Sequence, residues 1–235
     1  MKQAFWLQTA NQQACEIARL AGYDMVVFDG EHGVLDVTAL DRLVSFCAGI
    51  GLEPYVRVGE ASRIQIQAAL DMGAAGVILP QIEGLDHAAR VTAFSKYPPL
   101  GSRGIGYSRT MKYGSVGPDY IAAENTKRLC YAMIETPGAF AAMAEIAALP
   151  CVDGLFIGPG DLSLTRGRGL FADTAADAAD LKLVAETARK AGKRFAAAGP
   201  TRNYADQAAA LGASFVAGGD ELSAMMIGFR SFLVC

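Results

Sequence analysis

Two acidic side chains, Glu135 and Asp161, each follow a short apolar run, Leu129 to Ile134 and Gly154 to Ile157, with one helix's worth of chain between the runs. Such runs read as strands buried on both faces, and neighbouring strands lie about 4.8 Å apart, so the two acids can meet where adjacent strands end. At about 5 Å and an effective dielectric of about 20, two bare carboxylates repel by roughly 3 kcal/mol. A divalent cation between them turns that repulsion into attraction. The pair is therefore a candidate site for a hard, oxygen-preferring ion.

A second group of polar residues follows other apolar runs. Asp29, Glu31 and His32 come after Met25 to Phe28, and Arg57 lies in Tyr55 to Val58. Imidazole titrates near neutral pH and suits proton transfer; His32 stands three residues from Asp29, close enough for that carboxylate to orient the ring. Arg57 can bury its stem cheaply, but its charge needs an anion, and its planar fork suits a carboxylate or a developing enolate. Gln8, Gln81 and Asp220 also stand at run ends. The ordinary alternative for any one strand-end acid is a helix cap. His87 falls within a helical segment and reads as a solvated helix residue. Imine chemistry needs a lysine at a strand end, yet Lys96, Lys127 and Lys193 precede strands or end helices, and Lys112 lies in a long loop. No G-x-S-x-G elbow is present.

These residues need elements to hold them. Eight alternations of an apolar run with a helical pattern can be counted. The runs begin at Ala4, Met25, Tyr55, Gly76, Leu129, Gly154, Arg194 and Ser214, and Asn11, Thr38 and Ser62 are candidate helix N-caps. Ile17 and Ile64 are expected on inward helix faces. The count predicts an α/β fold, the (β/α)8 TIM barrel, as one domain over residues 1–235, with its site on the loops that follow the strands. A doubly wound sheet would need a G-x-G-x-x-G after its first strand; Gly101, Gly104 and Gly106 sit instead in the Gly-, Pro- and Arg-rich stretch 97–117. That stretch is too long for an ordinary connection and reads as a binding loop or subunit contact. Residues 165–175 form a second irregular loop.

Composition narrows the partners. The 235 residues are 52% hydrophobic and 19% charged, with a net charge of −3, and Lys and Arg are scattered, so neither nucleic acid nor an anionic membrane is expected. Cys15, Cys47, Cys130, Cys151 and Cys235 are odd in number and form no CxxC, which reads as reduced core thiols of a cytoplasmic protein and not as a zinc site. No apolar run approaches the roughly 18 residues of a membrane span, and the first residues lack a signal-peptide core.

The motifs V-F-D-G-E-H-G, Y-V-R-V, L-D-M-G-A-A-G-V-I-L-P-Q-I, Y-P-P-L-G-S-R-G, I-E-T and V-D-G-L-F-I-G-P-G-D-L-S occur in this order along the chain. Together they resemble the HpcH/HpaI aldolase family, metal-dependent class II pyruvate aldolases related to the citrate lyase β subunit. The resemblance implies Glu135 and Asp161 as ligands of Mg, Mn or Co, His32 as acid/base oriented by Asp29, and Arg57 as the cation that stabilises an enolate. It implies that backbone amides around Gly160 and Asp161 receive the pyruvate carboxylate, and that the chain assembles as a homo-oligomer, a hexamer of domain-swapped dimers or a dimer. The activity implied is reversible cleavage of a 4-hydroxy-2-oxo acid to pyruvate and an aldehyde. An enolate-using synthase or decarboxylase acting on oxaloacetate is the alternative, for example a citrate-forming condensation with acetyl-CoA. A non-catalytic barrel with an anion site at G-G-D is a third reading. Two positions depart from the family pattern. Met133 stands where many relatives carry a Gln that helps hold pyruvate, and Arg166, with Arg168, follows D-L-S where small apolar residues are usual. Both are expected to touch substrate, Arg166 by reading a second anionic group.

Overall fold

Strand by strand, every second residue must point the same way, and that parity builds two cores. The computed structural model describes residues 1–234. Its strands are β1 (Lys2–Leu7), β2 (Met25–Asp29), β3 (Glu53–Arg57), β4 (Gly76–Leu79), β5 (Leu129–Ile134), β6 (Gly154–Ile157), β7 (Arg194–Gly199) and β8 (Phe215–Asp220). They pair in parallel in sequence order and close, β1 against β8, into the (β/α)8 barrel. The helices are α1 (Gln12–Leu20), α2 (Val37–Gly49), α3 (Arg63–Met72), α4 (Leu85–Thr92), α5 (Tyr120–Lys127), α6 (Pro137–Ala141), α7 (Met143–Ala148), α8 (Pro159–Thr165), α9 (Ala175–Lys190), α10 (Arg202–Ala210) and α11 (Glu221–Ser231).

One parity fills the barrel. Met25 and Val27, Tyr55, Leu129 with Tyr131 and Met133, Phe156 and Phe215 form the inner core, where the rings of Tyr55, Tyr131 and Phe215 lie 5.4 to 6.1 Å apart. The other parity, including Val26, Phe28, Val56, Val77, Ile134 and Leu155, packs outward against the helices. Both faces of the sheet are thus dry, which is why its strands read as continuous apolar runs.

Local signals act as expected at several helix starts. Asn11 accepts from the Ala14 N–H at 3.0 Å and Ser62 from the Gln65 N–H at 3.5 Å. The cap of α2 is Asp36, accepting from Ala39 N–H at 2.7 Å, and not Thr38, which lies one residue inside the helix. Ile17 and Ile64 face outward and are exposed, so helical spacing overstated the inward faces of α1 and α3. Residues 97–117 run over the outside of the barrel. Arg109 grips Asp41 of α2 at 2.7 and 3.0 Å and the Met72 carbonyl of α3 at 2.7 Å, and Arg103 pairs with Asp71. None of these residues lines the mouth, so as a binding loop this stretch does not serve the site below. Cys15, Cys47, Cys130 and Cys151 are buried free thiols; Cys235 lies outside the described residues. No helix among the described residues is long and apolar enough to cross a membrane.

Candidate active site

The parity that fills the barrel also aims the chemistry. Met25 and Val27 point inward, so Asp29 does; Tyr55 does, so Arg57 does; Leu129, Tyr131 and Met133 do, so Glu135, the next in phase, rises into the mouth. Asp29, Arg57, Met133 and Glu135 line a cavity of about 860 Å³ at the C-terminal end of the strands, together with Trp6, Gln8, His32, Gly160, Asp161 and Asp220.

Glu135 is fully buried. Its Oε1 accepts the backbone N–H of Gln81 at 2.8 Å, aimed there by a left-handed backbone at Gln81, φ 51°. Its Oε2 is buried with no partner. Burial, then repulsion from Glu31 and Asp161, push this carboxyl up to about 7 despite the Gln81 N–H and Arg57. The space beside Oε2 is kept by Gly158: a Cβ there would fall 2.6 Å from Oε2 and 2.5 Å from Met133 Cε.

Asp161 is not a strand-end residue. Pro159 begins α8 at its first position, and Asp161 lies in the first turn of that helix, half-buried; Pro at such a position is preorganised for helix, a signal that placing Asp161 at a strand end missed. The site of the two carboxylates fits a divalent cation. An orphaned, buried, charged oxygen is costly unless paired, the donors are all oxygen, and hard ions such as Mg²⁺ are held by one or two carboxylates with remaining positions left to water and substrate. Among the described residues no group of three or more His, Cys, Asp or Glu assembles, so the protein's share would be this pair.

Asp29 and Arg57 form a buried two-point pair, Nε to Oδ1 at 3.0 Å and Nη2 to Oδ2 at 2.6 Å. Arg57 Nη1 also lies 3.0 Å from Glu31 Oε2, without hydrogen-bond alignment, and the guanidinium stacks 4.8 Å from the Trp6 ring. Arg57 thus already has its anions. This corrects the role expected for Asp29. Its Oδ1 accepts from the backbone N–H groups of Glu31 and His32, each at 3.1 Å, and not from the imidazole, because Arg57 and the turn amides use its acceptor capacity. The His32 ring is exposed at the cavity's edge, and the carboxylate oxygen near it is Glu31 Oε2, 4.0 Å from Nε2. Gly33 makes this turn possible: a Cβ there would sit 2.2 Å from the Asp29 carbonyl oxygen and 2.7 Å from that of Gln8.

Arg166 does not line the mouth. It stacks on Phe140 at 4.4 Å and meets Asp180 of α9 at 3.3 Å, while Arg168 binds Asp177 at 3.0 Å and Asp180 at 2.7 Å. The acids of α9 capture both guanidiniums, so the expectation that Arg166 reads a substrate anion is corrected. Met133 does reach the cavity floor. Sequence reading left Glu31 without a role and passed over Trp6, which parity on β1 after Ala4 could have found. It also passed over Glu221, whose Oε1 accepts from Gln8 N–H, Thr9 N–H and Thr9 Oγ1 at 2.8 to 2.9 Å and ties β1 to α11. Asp220 caps α11, accepting from Ser223 N–H at 2.8 Å, which leaves G-G-D no free anion site of the kind first considered.

Residues 2–226 match the family described as HpcH/HpaI aldolase/citrate lyase. The 2-keto-3-deoxy-L-rhamnonate aldolases of Escherichia coli O157:H7 and of Shigella boydii serotype 4 (strain Sb227) are each 32% identical over 220 residues, 91% of this chain and 80% of theirs. Among solved structures, the HpcH/HpaI aldolase from Desulfitobacterium hafniense DCB-2 superposes with a TM-score of 0.91 at 24% identity, covering 98% of this chain and 90% of that one.

Proposed function

The chain belongs to the HpcH/HpaI aldolase/citrate lyase family and is a carbon–carbon lyase of the class II aldolase type, and we propose that it reversibly cleaves a 4-hydroxy-2-oxo acid to pyruvate and an aldehyde. One observation carries this reading: the buried, unpartnered Oε2 of Glu135 in a mouth shared with Asp161. Glu135 and Asp161 would hold Mg, Mn or Co. A divalent cation there supplies Lewis-acid polarisation of a 2-oxo acid's carbonyl.

The chain's own residues do the rest. Free first-turn amides at Gly160 and Asp161 receive the substrate carboxylate, with Met133 as an apolar floor. Arg57, immobilised by Asp29 and Glu31, presents its fixed charge to the oxygen that gains negative charge as the C–C bond breaks. His32 moves the proton at the acceptor oxygen, with Glu31 as its neighbouring carboxylate. The name of the Escherichia coli and Shigella relatives supports a 2-oxo acid with a 3-deoxy carbon as the substrate head. Assembly as a homo-oligomer, dimer or hexamer, is supported by Phe229 of α11 and by Phe232, Leu233 and Val234 after it, all of them exposed. The cytoplasm fits its buried free thiols.

Purified enzyme with Mn²⁺ is expected to release pyruvate from 4-hydroxy-2-oxo acids, and Glu135→Ala to abolish release. No keto acid from a panel of such substrates at saturating Mn²⁺ would sink the assignment.

A further inference from the structure

The cavity has two unlike walls. Asp29, Arg57, Glu135 and Asp161 stand on β2, on β3, at the end of β5 and in the first turn of α8. The far side is built by Leu164 of α8, Leu170 and Phe171 of the following loop, and Ile227 of α11. Leu170 is 81% exposed, Ile227 70% and Leu164 49%; these are large apolar surfaces left wet at the rim of a site far larger than a three-carbon keto acid fills.

The loop that carries this wall is strapped at both ends. Arg168 is fixed to Asp177 and Asp180, and Asp173 accepts from Thr201 Oγ1 at 2.5 Å and Asn203 Nδ2 at 3.0 Å. Between the straps, Phe171 packs edge-on against Tyr204, ring centres 5.2 Å apart. Leu170 is thereby presented on a preorganised support, at little ordering cost on binding.

Charge excludes the opposite kind of ligand. Among the described residues lining the cavity Arg57 is the one Lys or Arg, and it is already matched by Asp29 and Glu31. An aldehyde with a distal carboxylate or phosphate would meet Asp220 with no cation to receive it. A polyhydroxylated chain would lie against leucine and lose hydrogen bonds to water without replacement.

We propose that Leu164, Leu170, Phe171 and Ile227 form an acceptor subsite selecting an uncharged aldehyde with an apolar tail. The inference rests on the aldolase reading and names the substrate class of that site. For linear aldehydes condensed with pyruvate at saturating Mn²⁺, kcat/KM rises with chain length by about fourfold per methylene, the equivalent of about 0.8 kcal/mol, while glyceraldehyde and succinic semialdehyde react more slowly than butanal. Leu170→Asn and Leu164→Asn flatten the chain-length dependence, and Leu170→Met retains it.

The test measures condensation rates for propanal, butanal, hexanal, glyceraldehyde and succinic semialdehyde with wild type and these variants. In parallel, exchange of the pyruvate methyl protons in D₂O is followed without any aldehyde. A flat wild-type profile, faster reaction of the polar or charged aldehydes, or an unchanged slope in Leu170→Asn overturns the apolar subsite. Absence of methyl exchange in the wild type overturns the enolate reading beneath it, so the two failures are told apart.

Discussion

The backbone N–H of Gln81 donates to Oε1 of Glu135 at 2.8 Å and leaves Oε2, fully buried, with nothing to bind. A neutral glutamine side chain would keep the first contact and remove the buried charge. Glu135→Gln is therefore expected to weaken Mn²⁺ binding by at least about 100-fold, while raising the melting temperature measured in EDTA at neutral pH. Calorimetric titration and thermal melts check both; a variant that keeps full Mn²⁺ affinity would remove Glu135 from the ligand set.

The same burial makes metal-free stability depend on pH. The native Glu135 carboxyl is raised from 4.5 to about 7, so the native state binds more protons than the unfolded chain between those values, and stability falls as pH rises through that window. The full loss from this group is on the order of 3 kcal/mol. A cation competes with the proton, so added Mn²⁺ should stabilise strongly at pH 8 and weakly at pH 5. Urea midpoints in EDTA that are the same at pH 5 and pH 8 for wild type and Glu135→Gln would contradict this.

Asp29 and Arg57 are both buried, and Glu31 adds a second carboxylate at 3.0 Å. Removing the guanidinium leaves two acids without compensation. Arg57→Met is expected to cost about 3–5 kcal/mol in urea unfolding, with activity lost as well. Arg57→Lys should rescue little of either, since an ammonium cannot reproduce the two-point contact with Asp29 while facing Glu31.

Much of this arrangement was legible because strand parity is rigid. Once Tyr55 and Leu129 are taken as inward, Arg57 and Glu135 follow, and the closed barrel brings their strands to one mouth. What could not be read depended on partners distant in sequence. The Asp29 carboxylate lies near His32 along the chain, but Arg57 from the next strand takes it, leaving the ring free. Arg166 looked like a substrate cation until Asp180 and Phe140 surrounded it. Pro159 carried a local signal for α8 that the flanking glycines masked, so Asp161 was assigned to a strand end and not to a helix's first turn.

That correction at Arg166 has its own test. With its guanidinium on Phe140 and Asp180, Arg166→Ala should change kcat/KM for the keto acid by less than about threefold, the behaviour of a residue outside the transition-state contacts. A tenfold rise in KM with an unchanged melting temperature would restore it to the substrate site.

Gly158 separates crowding from chemistry. Its φ of −101° and ψ of 89° lie outside the left-handed region, so alanine there adds only a methyl, placed 2.5 Å from Met133 Cε and 2.6 Å from Glu135 Oε2. The Met133 clash falls on the end of a flexible side chain and costs about 1–3 kcal/mol at most, whereas the second clash fills the space a cation needs beside Oε2. Gly158→Ala should therefore lower Mn²⁺ affinity more than tenfold, of the order seen for changes around metal ligands, and lower the melting temperature slightly. Adding Met133→Ala should remove the side-chain clash, with a further fall in melting temperature from the lost core burial, without restoring Mn²⁺ binding, because the methyl still abuts Oε2. If the double variant regains full affinity, the space beside Oε2 is not where the ion sits.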